Sequence, residues 1–347
     1  MTQFRVGLSK GFQNPDGSPA YVDFDLAPFT GNARIDLVKL DNAGELSGAD
    51  VADLDALVLL GERFTRVSID RGNRLALVAR FGVGYDTVDV DACNDNGIAV
   101  SITPDGVRRP VAVSVMAFLL ALTGRMFEKD KLTREGPSGF ARKGNFMGVG
   151  LVGRTFGLIG VGNIGAETVR LAAPFGMNIV AHDPFADPKA MRELGVKLVE
   201  LDEVFRISDF ISVHCPLSPK TRHLVDARRL ALMKPTAFII NTARGPIIDQ
   251  VALTAALKEC RIAGAGLDVF DVEPIAADDP LLKLDNVILA PHALALTDQC
   301  FANIGASCAA SVLSVLQGKT PHNLVDASVR DNSTFRAKLD SYARAFA

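Results

Sequence analysis

Residues 155–165 read TFGLIGVGNIG, and the next apolar run, MNIVAHD (177–183), closes on Asp183. A short β-type run leads into glycines at 160, 162 and 165, and a helical pattern follows them. Gly160 permits a tight turn, Gly162 lets a pyrophosphate approach the backbone without meeting a Cβ, and Gly165 lets the helix press against the strand. A helix starting there, through Asn163 and Ile164, points unpaired N–H groups and its positive dipole end at phosphates. Asp183 lies 18 residues beyond Gly165, about where a carboxylate holds ribose hydroxyls. Strand, turn, helix and acid together read as a dinucleotide site rather than an ordinary Gly-rich turn.

The 347 residues are enough for two domains with full cores. With 48% hydrophobic and 22% charged residues the chain is globular, not disordered. The formal net charge of −3 disfavours a nucleic acid or an anionic membrane held by bulk charge. The N-terminal MTQFRVGLSK lacks the apolar stretch of a signal peptide. The longest apolar stretch, Val111–Leu122, contains Ser114 and is expected to be a buried helix too short to span a bilayer. Five cysteines (93, 215, 260, 300 and 308) are scattered and form no CxxC. They read as reduced thiols in a cytoplasmic protein with no metal site.

Apolar runs alternate with amphipathic segments. In the first third they are FRVGL, ALVLL (56–60), LALVA (75–79) and GIAV (97–100), with helix-like stretches between the last three. Further runs recur at 156–160, 177–182, 196–199, 209–214, 236–241, 262–267 and 286–289. This order predicts an α/β protein with two Rossmann-like parallel-sheet domains and a cleft between them. An apolar helix at about 110–126 and a polar stretch, 128–147, separate the two regions, and the polar stretch should run over the surface. After residue 292 the pattern is helical, too short for a third domain. The expected division is therefore a discontinuous substrate-binding domain, 1–104 plus 298–347, and an NAD-binding domain, 105–297. The stretch 326–347 gives no clear reading.

Four more segments accompany the glycine fingerprint: ARFGVGYDTVD (79–89), SVHCPLSPKTRHLVD (212–226), MKPTAFIINTARGPIIDQVAL (233–253) and AGAGLDVFDVEP with NVILAPH (263–292). Together they resemble the D-isomer-specific 2-hydroxyacid dehydrogenases, over about residues 55–320 and in family-like spacing. The resemblance implies an NAD-dependent enzyme that exchanges hydride between nicotinamide and a D-2-hydroxy acid or its 2-oxo partner.

Reducing a ketone leaves negative charge on its oxygen, so a proton donor and a cationic carboxylate anchor are needed. The resemblance makes His292, in APH, the acid/base. It makes Glu273, in DVEP, the carboxylate that holds one His tautomer and favours imidazolium. Arg244, in NTARG, becomes the guanidinium that grips the substrate carboxylate with two bonds, and Gly245 is expected to allow a sharp turn. Gly82, Val83 and Gly84 would present amides to the same carboxylate as an anion nest. The family's cofactor segments carry over to His214, Cys215, Pro216, Thr221, Thr242, Ala243 and Arg244, with Asp268 and His292 beside the nicotinamide. Cys215 and His214 do not read as nucleophile and base, because adjacent strand residues face opposite ways.

Two stretches depart from the family pattern. Leu294 is bulky for its place after the histidine, so the pocket is tight or the loop shifted. Arg108 and Arg109 precede Pro110, and Ser114 stands where Glu is frequent. The two arginines, Arg109 above all, are candidates for reading a second anionic group; the alternative is solvated charges before a helix whose first turn holds Pro110. No arginine follows Asp183, so NAD is expected over NADP. The resemblance also implies a homodimer acting on a small molecule, with no nucleic-acid or membrane partner. A non-enzymatic NAD-sensing corepressor-like protein is the alternative, and Glu273 argues against a formate-dehydrogenase-like site.

Overall fold

The computed structural model describes residues 3–70 and 72–346. Two compact units divide it, Met1–Val107 with Leu296–Ala347, and Arg108–Ala295. The first unit is built on a parallel sheet of β1 (Phe4–Leu8), β2 (Ile35–Lys39), β3 (Ala56–Leu59), β4 (Leu77–Arg80) and β5 (Ala99–Ser101), in the order β2-β1-β3-β4-β5. β3 and β5 are buried along their whole length, as strands covered on both faces must be. β2 interrupts its apolar residues with Asp36 and buries only Ile35 fully, as suits an edge strand. No apolar run announces it, which is why the sequence pattern passes over it.

Two helices from beyond the second unit complete this sheet. Asp298–Leu316 packs on β3 and β4, and Ser333–Phe346 follows it. The second helix arises from the stretch that had no clear reading. It buries Phe335, Leu339, Tyr342 and Phe346 at i, i+4, i+7 and i+11, each contributing about 2 kcal/mol. The rings of Tyr342 and Phe346 lie edge-on to Phe4 of β1, at centroid distances of 5.1 and 5.7 Å. Arg34 donates to the carbonyl of Phe346 at 2.6 Å. Lys338 is buried and donates to the carbonyls of Leu75 (2.7 Å) and Asn96 (3.0 Å); burial lowers its pKa to about 8.

The second unit holds seven parallel strands: β6 (Thr155–Ile159), β7 (Asn178–His182), β8 (Val196–Leu198), β9 (Phe210–Val213), β10 (Phe238–Asn241), β11 (Gly264–Leu267) and β12 (Val287–Leu289). Their order is β12-β11-β10-β9-β6-β7-β8. The chain runs outward from β6 to β8, then returns to lay β9 on the other side of β6. That reversal makes the carboxyl ends of β6 and β9 the topological switch point, where open α/β sheets place their ligands.

Several local expectations are corrected. The long helix runs Pro104–Gly124, so Pro110 lies inside it rather than in its first turn. Its 21 residues, like Asp298–Leu316, are long and apolar enough to cross a membrane, but more than half of each apolar stretch is buried within the protein. Among the described residues between β3 and β4 the helical element is a 3-10 turn, Arg66–Ser68, rather than an α-helix. The polar stretch after the long helix is largely exposed as expected, yet folds as Met126–Arg134 and Pro137–Ala141. All five cysteines are free thiols.

Candidate active site

The glycine fingerprint caps β6. Gly160 has φ 94°, open to glycine and strained for other residues, and its N–H donates to the carbonyl of His182 at 2.9 Å. A Cβ at Gly165 would stand 2.7 Å from the Gly160 carbonyl oxygen, so the helix Asn163–Ala172 touches the turn directly. This helix buries Gly165, Thr168, Val169 and Ala172, one face at helical spacing. Gly162 is its N-cap and offers no side-chain cap to the first N–H groups. A Cβ at Gly162 would meet nothing within 4 Å, which leaves room for a phosphate against those amides. Asp183 accepts from the N–H of Val161 (2.8 Å) and Phe185 (2.9 Å), so the acid is fastened to the glycine turn. Thr242 Oγ1 and His214 Nε2 are buried without a hydrogen-bond partner. Open glycine space, bare helix amides and waiting polar atoms fit a dinucleotide.

His214, Cys215 and Pro216 follow β9, with the His214 N–H on the carbonyl of Ile159 at 2.8 Å. Burial lowers the His214 pKa to about 4 and raises that of Cys215 to about 11. Neutral imidazole beside an intact thiol is no nucleophile pair. Thr221 Oγ1 donates to the Pro216 carbonyl at 2.7 Å, folding this segment back on itself.

After β10, the side chain of Asn241, 1% exposed, builds the next turn. Its Oδ1 accepts from the Ala243 N–H (3.0 Å) and its Nδ2 donates to the Arg244 carbonyl (2.9 Å). Thr242, Ala243 and Arg244 thus leave the strand in a fixed loop, and Arg244 Nη1 donates to the Ala243 carbonyl at 2.8 Å. Gly245 is needed for a reason other than the one expected: it has no positive φ. A Cβ there would overlap the carbonyl carbon and oxygen of Phe270. The loop carrying Arg244 and the loop leading to Glu273 therefore meet backbone on backbone.

Asp268, 4% exposed, directly follows β11. Its carboxylate accepts from the N–H of Ala293 (2.9 Å) and Leu294 (3.2 Å). Burial raises its pKa; the two amides and the charge of His292 oppose this, and the Glu273 charge adds to it. Asp268 so anchors the stretch after His292, which has φ 54°, a conformation few non-glycine residues hold without outside support. His292 Nδ1 and Glu273 Oε2 are 2.7 Å apart, and Glu273 Oε1 accepts from the Phe270 N–H at 2.9 Å. Burial pushes the Glu273 carboxyl up; the bonds from His292 and Phe270 and the charges of His292 and Arg244 outweigh it and leave it below its usual value. With Nδ1 engaged, Nε2 is the ring nitrogen left for a ligand.

Within the second unit, then, Glu273 and His292 are in contact, Asp268 holds the residues after His292, and the charge of Arg244 bears on Glu273; the fingerprint shares their sheet edge. Arg109 lies on the long helix, where its Nη1 donates to Glu167 at 2.6 Å on the fingerprint helix. Gly82, Val83 and Gly84 belong to the other unit. There they follow β4, with Gly82 at φ 129° and its N–H on Thr103 Oγ1 at 3.0 Å. Asn241, the contact at Gly245, and Gln250 escaped the sequence reading; only Asn241, an Asx residue before a turn, carried a local signal.

Residues 116–293 match the family described as D-isomer specific 2-hydroxyacid dehydrogenase, NAD binding domain. A glyoxylate reductase of Korarchaeum cryptofilum is 41% identical over 281 residues, covering 80% of this chain and 85% of that protein. A D-3-phosphoglycerate dehydrogenase of Methanocaldococcus jannaschii is 40% identical over 278 residues, 80% of this chain and 52% of that protein. The crystal structure of a glyoxylate reductase from Paecilomyes thermophila superposes with a TM-score of 0.80 at 26% identity, covering 94% of this chain and 99% of that one.

Proposed function

The chain belongs to the D-isomer specific 2-hydroxyacid dehydrogenase family, and on that premise we propose that His292, Glu273 and Arg244 carry hydride exchange between nicotinamide and a D-2-hydroxy acid or its 2-oxo partner. The observation that carries the assignment is the 2.7 Å contact between His292 Nδ1 and Glu273 Oε2 at the carboxyl edge of the sheet. Gly160, Gly162, Gly165 and Asp183 would hold the cofactor, with Thr242 and His214 along it. Bound NADH supplies the hydride. His292 gives its Nε2 proton to the carbonyl oxygen as negative charge develops there. Glu273 accepts from Nδ1–H, which fixes the tautomer and offsets the ring's positive charge. Arg244 grips the substrate carboxylate; the Gly82–Gly84 turn of the first unit is proposed to be an anion nest in its own right.

The relatives' names point to small 2-oxo acids, and glyoxylate is the proposed first substrate. A screen of glyoxylate, hydroxypyruvate, pyruvate, a phosphorylated and a branched 2-oxo acid with NADH tests this by loss of nicotinamide absorbance. No turnover of any of them would refute it. Asp183, followed by Pro184, Phe185 and Ala186, sets a carboxylate where the 2′-phosphate of NADPH would stand. NADH is therefore expected to exceed NADPH by at least about tenfold in kcat/KM, roughly 1.4 kcal/mol; equal values would contradict it.

We further place a homodimer contact on the long helix and its continuation, where Val113, Leu120, Met126 and Phe127 are exposed. Sedimentation at twice the chain mass is the expected result. The free thiols suit the reducing cytoplasm, where cell fractionation should find the protein.

A further inference from the structure

Gln250 opens the helix Gln250–Lys258, six residues after Arg244. Its side chain reaches away from that helix to two points on the loop after β11. Oε1 accepts from the N–H of Asp271 at 3.0 Å, and Nε2 donates to Asp279 Oδ2 at 2.9 Å. The two bonds bracket the segment 271–279, which contains Glu273. Nearby, Gly245 touches Phe270 and Asp271, and the Phe270 N–H holds Glu273 Oε1. Glu273 itself is partly exposed, so packing alone does not fix it. A terminal amide carries an acceptor and a donor on separate atoms, and so meets both demands at once.

We propose that Gln250 is a positioning residue: its amide pins the loop between Asp271 and Asp279, and thereby holds the Glu273 carboxylate on Nδ1 of His292. This rests on the functional reading above only for its catalytic consequence; the geometric claim stands apart from it. The charged groups bearing on the pair are Asp268, against His292 and Glu273, and Arg244, against Glu273. Neither contacts Gln250 among the described hydrogen bonds, so a change at Gln250 reaches the imidazole through Glu273.

The test compares Gln250→Met, which keeps length and loses both bonds, with the double variant Gln250→Glu, Asp279→Asn. In the double variant the new carboxylate still accepts from the Asp271 N–H, the new amide donates to it, and the charge is conserved. The amide oxygen can also keep the Leu281 N–H that Asp279 Oδ1 holds at 2.8 Å. The first readout is the NMR titration midpoint of the His292 ring, assigned by its absence in His292→Gln. Gln250→Met is expected to lower it by about half a pH unit or more, as a loosened carboxylate favours imidazolium less; the double variant restores it. In the NADH-dependent reduction of glyoxylate, kcat falls about tenfold and the pH of half-maximal activity moves down with the midpoint. NADH affinity stays within about twofold.

A Gln250→Met midpoint equal to that of the unaltered protein overturns the proposal, even if Tm falls. So does a double variant that behaves like Gln250→Met. Should Gln250→Met not fold, Gln250→Glu alone keeps the Asp271 bond, sets a carboxylate against Asp279, and is read on the same scale. If the unaltered protein turns over no 2-oxo acid, the functional reading fails, and the titration still decides the role of Gln250.

Discussion

Replacing His292 with alanine should lower kcat for 2-oxo acid reduction by about 10²–10⁴-fold, the range that positioned proton transfer contributes. The variant should still bind NADH within about twofold, measured by quenching of cofactor fluorescence. The two effects separate because the fingerprint at the end of β6 and the imidazole are held by different contacts. Gly160, Gly162 and Gly165 are shaped by the turn and its helix, whereas His292 hangs on Asp268 and Glu273. Loss of the ring leaves the carboxylate of Glu273 without its Nδ1 partner, so a small stability change accompanies the kinetic one. Near-normal turnover would remove His292 from the mechanism. A parallel loss of NADH binding would mean that the substitution had disturbed the sheet edge as a whole.

The second large effect is expected at Gly245. Its backbone angles are open to any residue, and on conformation alone alanine should be harmless. The contact decides otherwise: the added methyl would overlap the Phe270 carbonyl and crowd the Asp271 nitrogen. Backbone on both sides cannot swing aside as a flexible side chain can. Overpacking of this kind costs about 3 kcal/mol, and for a unit of this size each kcal/mol lowers Tm by about 2–4 °C. A fall of about ten degrees by calorimetry is therefore expected in Gly245→Ala. Any folded fraction should lose about 10²-fold in kcat, because the loops bearing Arg244 and Glu273 are pushed apart at their point of contact. Unchanged Tm and unchanged kcat together would show that the two loops are not coupled through this glycine.

These two positions also mark what a sequence can and cannot disclose. The inner strands β6, β9, β10 and β11 are legible because parallel strands covered on both faces are apolar nearly throughout, and each of the seven apolar runs becomes a strand. β2 is not, because an edge strand with Asp36 and a lysine end lacks that pattern. The span between β3 and β4 reads as helix-like, yet its described residues form a 3-10 turn, Arg66–Ser68, instead of an α-helix. The fingerprint is readable because its chemistry is local: turn, amides and acid follow one another within 30 residues. The need for glycine at 245 and the bonds of Gln250 are not readable, because each depends on a segment more than twenty residues away that only the fold brings near.

The discontinuity of the first unit bears on how a nascent chain becomes a protein. β1 rests its Phe4 ring on Tyr342 and Phe346, and Arg34 bonds a carbonyl 312 positions downstream. On the ribosome, the contiguous span 108–295 can finish its own sheet first, while the earliest strands emerge with one flank bare and wait for the helix that shields them. Long-range closure of this kind is slow. The species most exposed to aggregation is therefore a half-made chain whose N-terminal sheet still lacks its C-terminal cover.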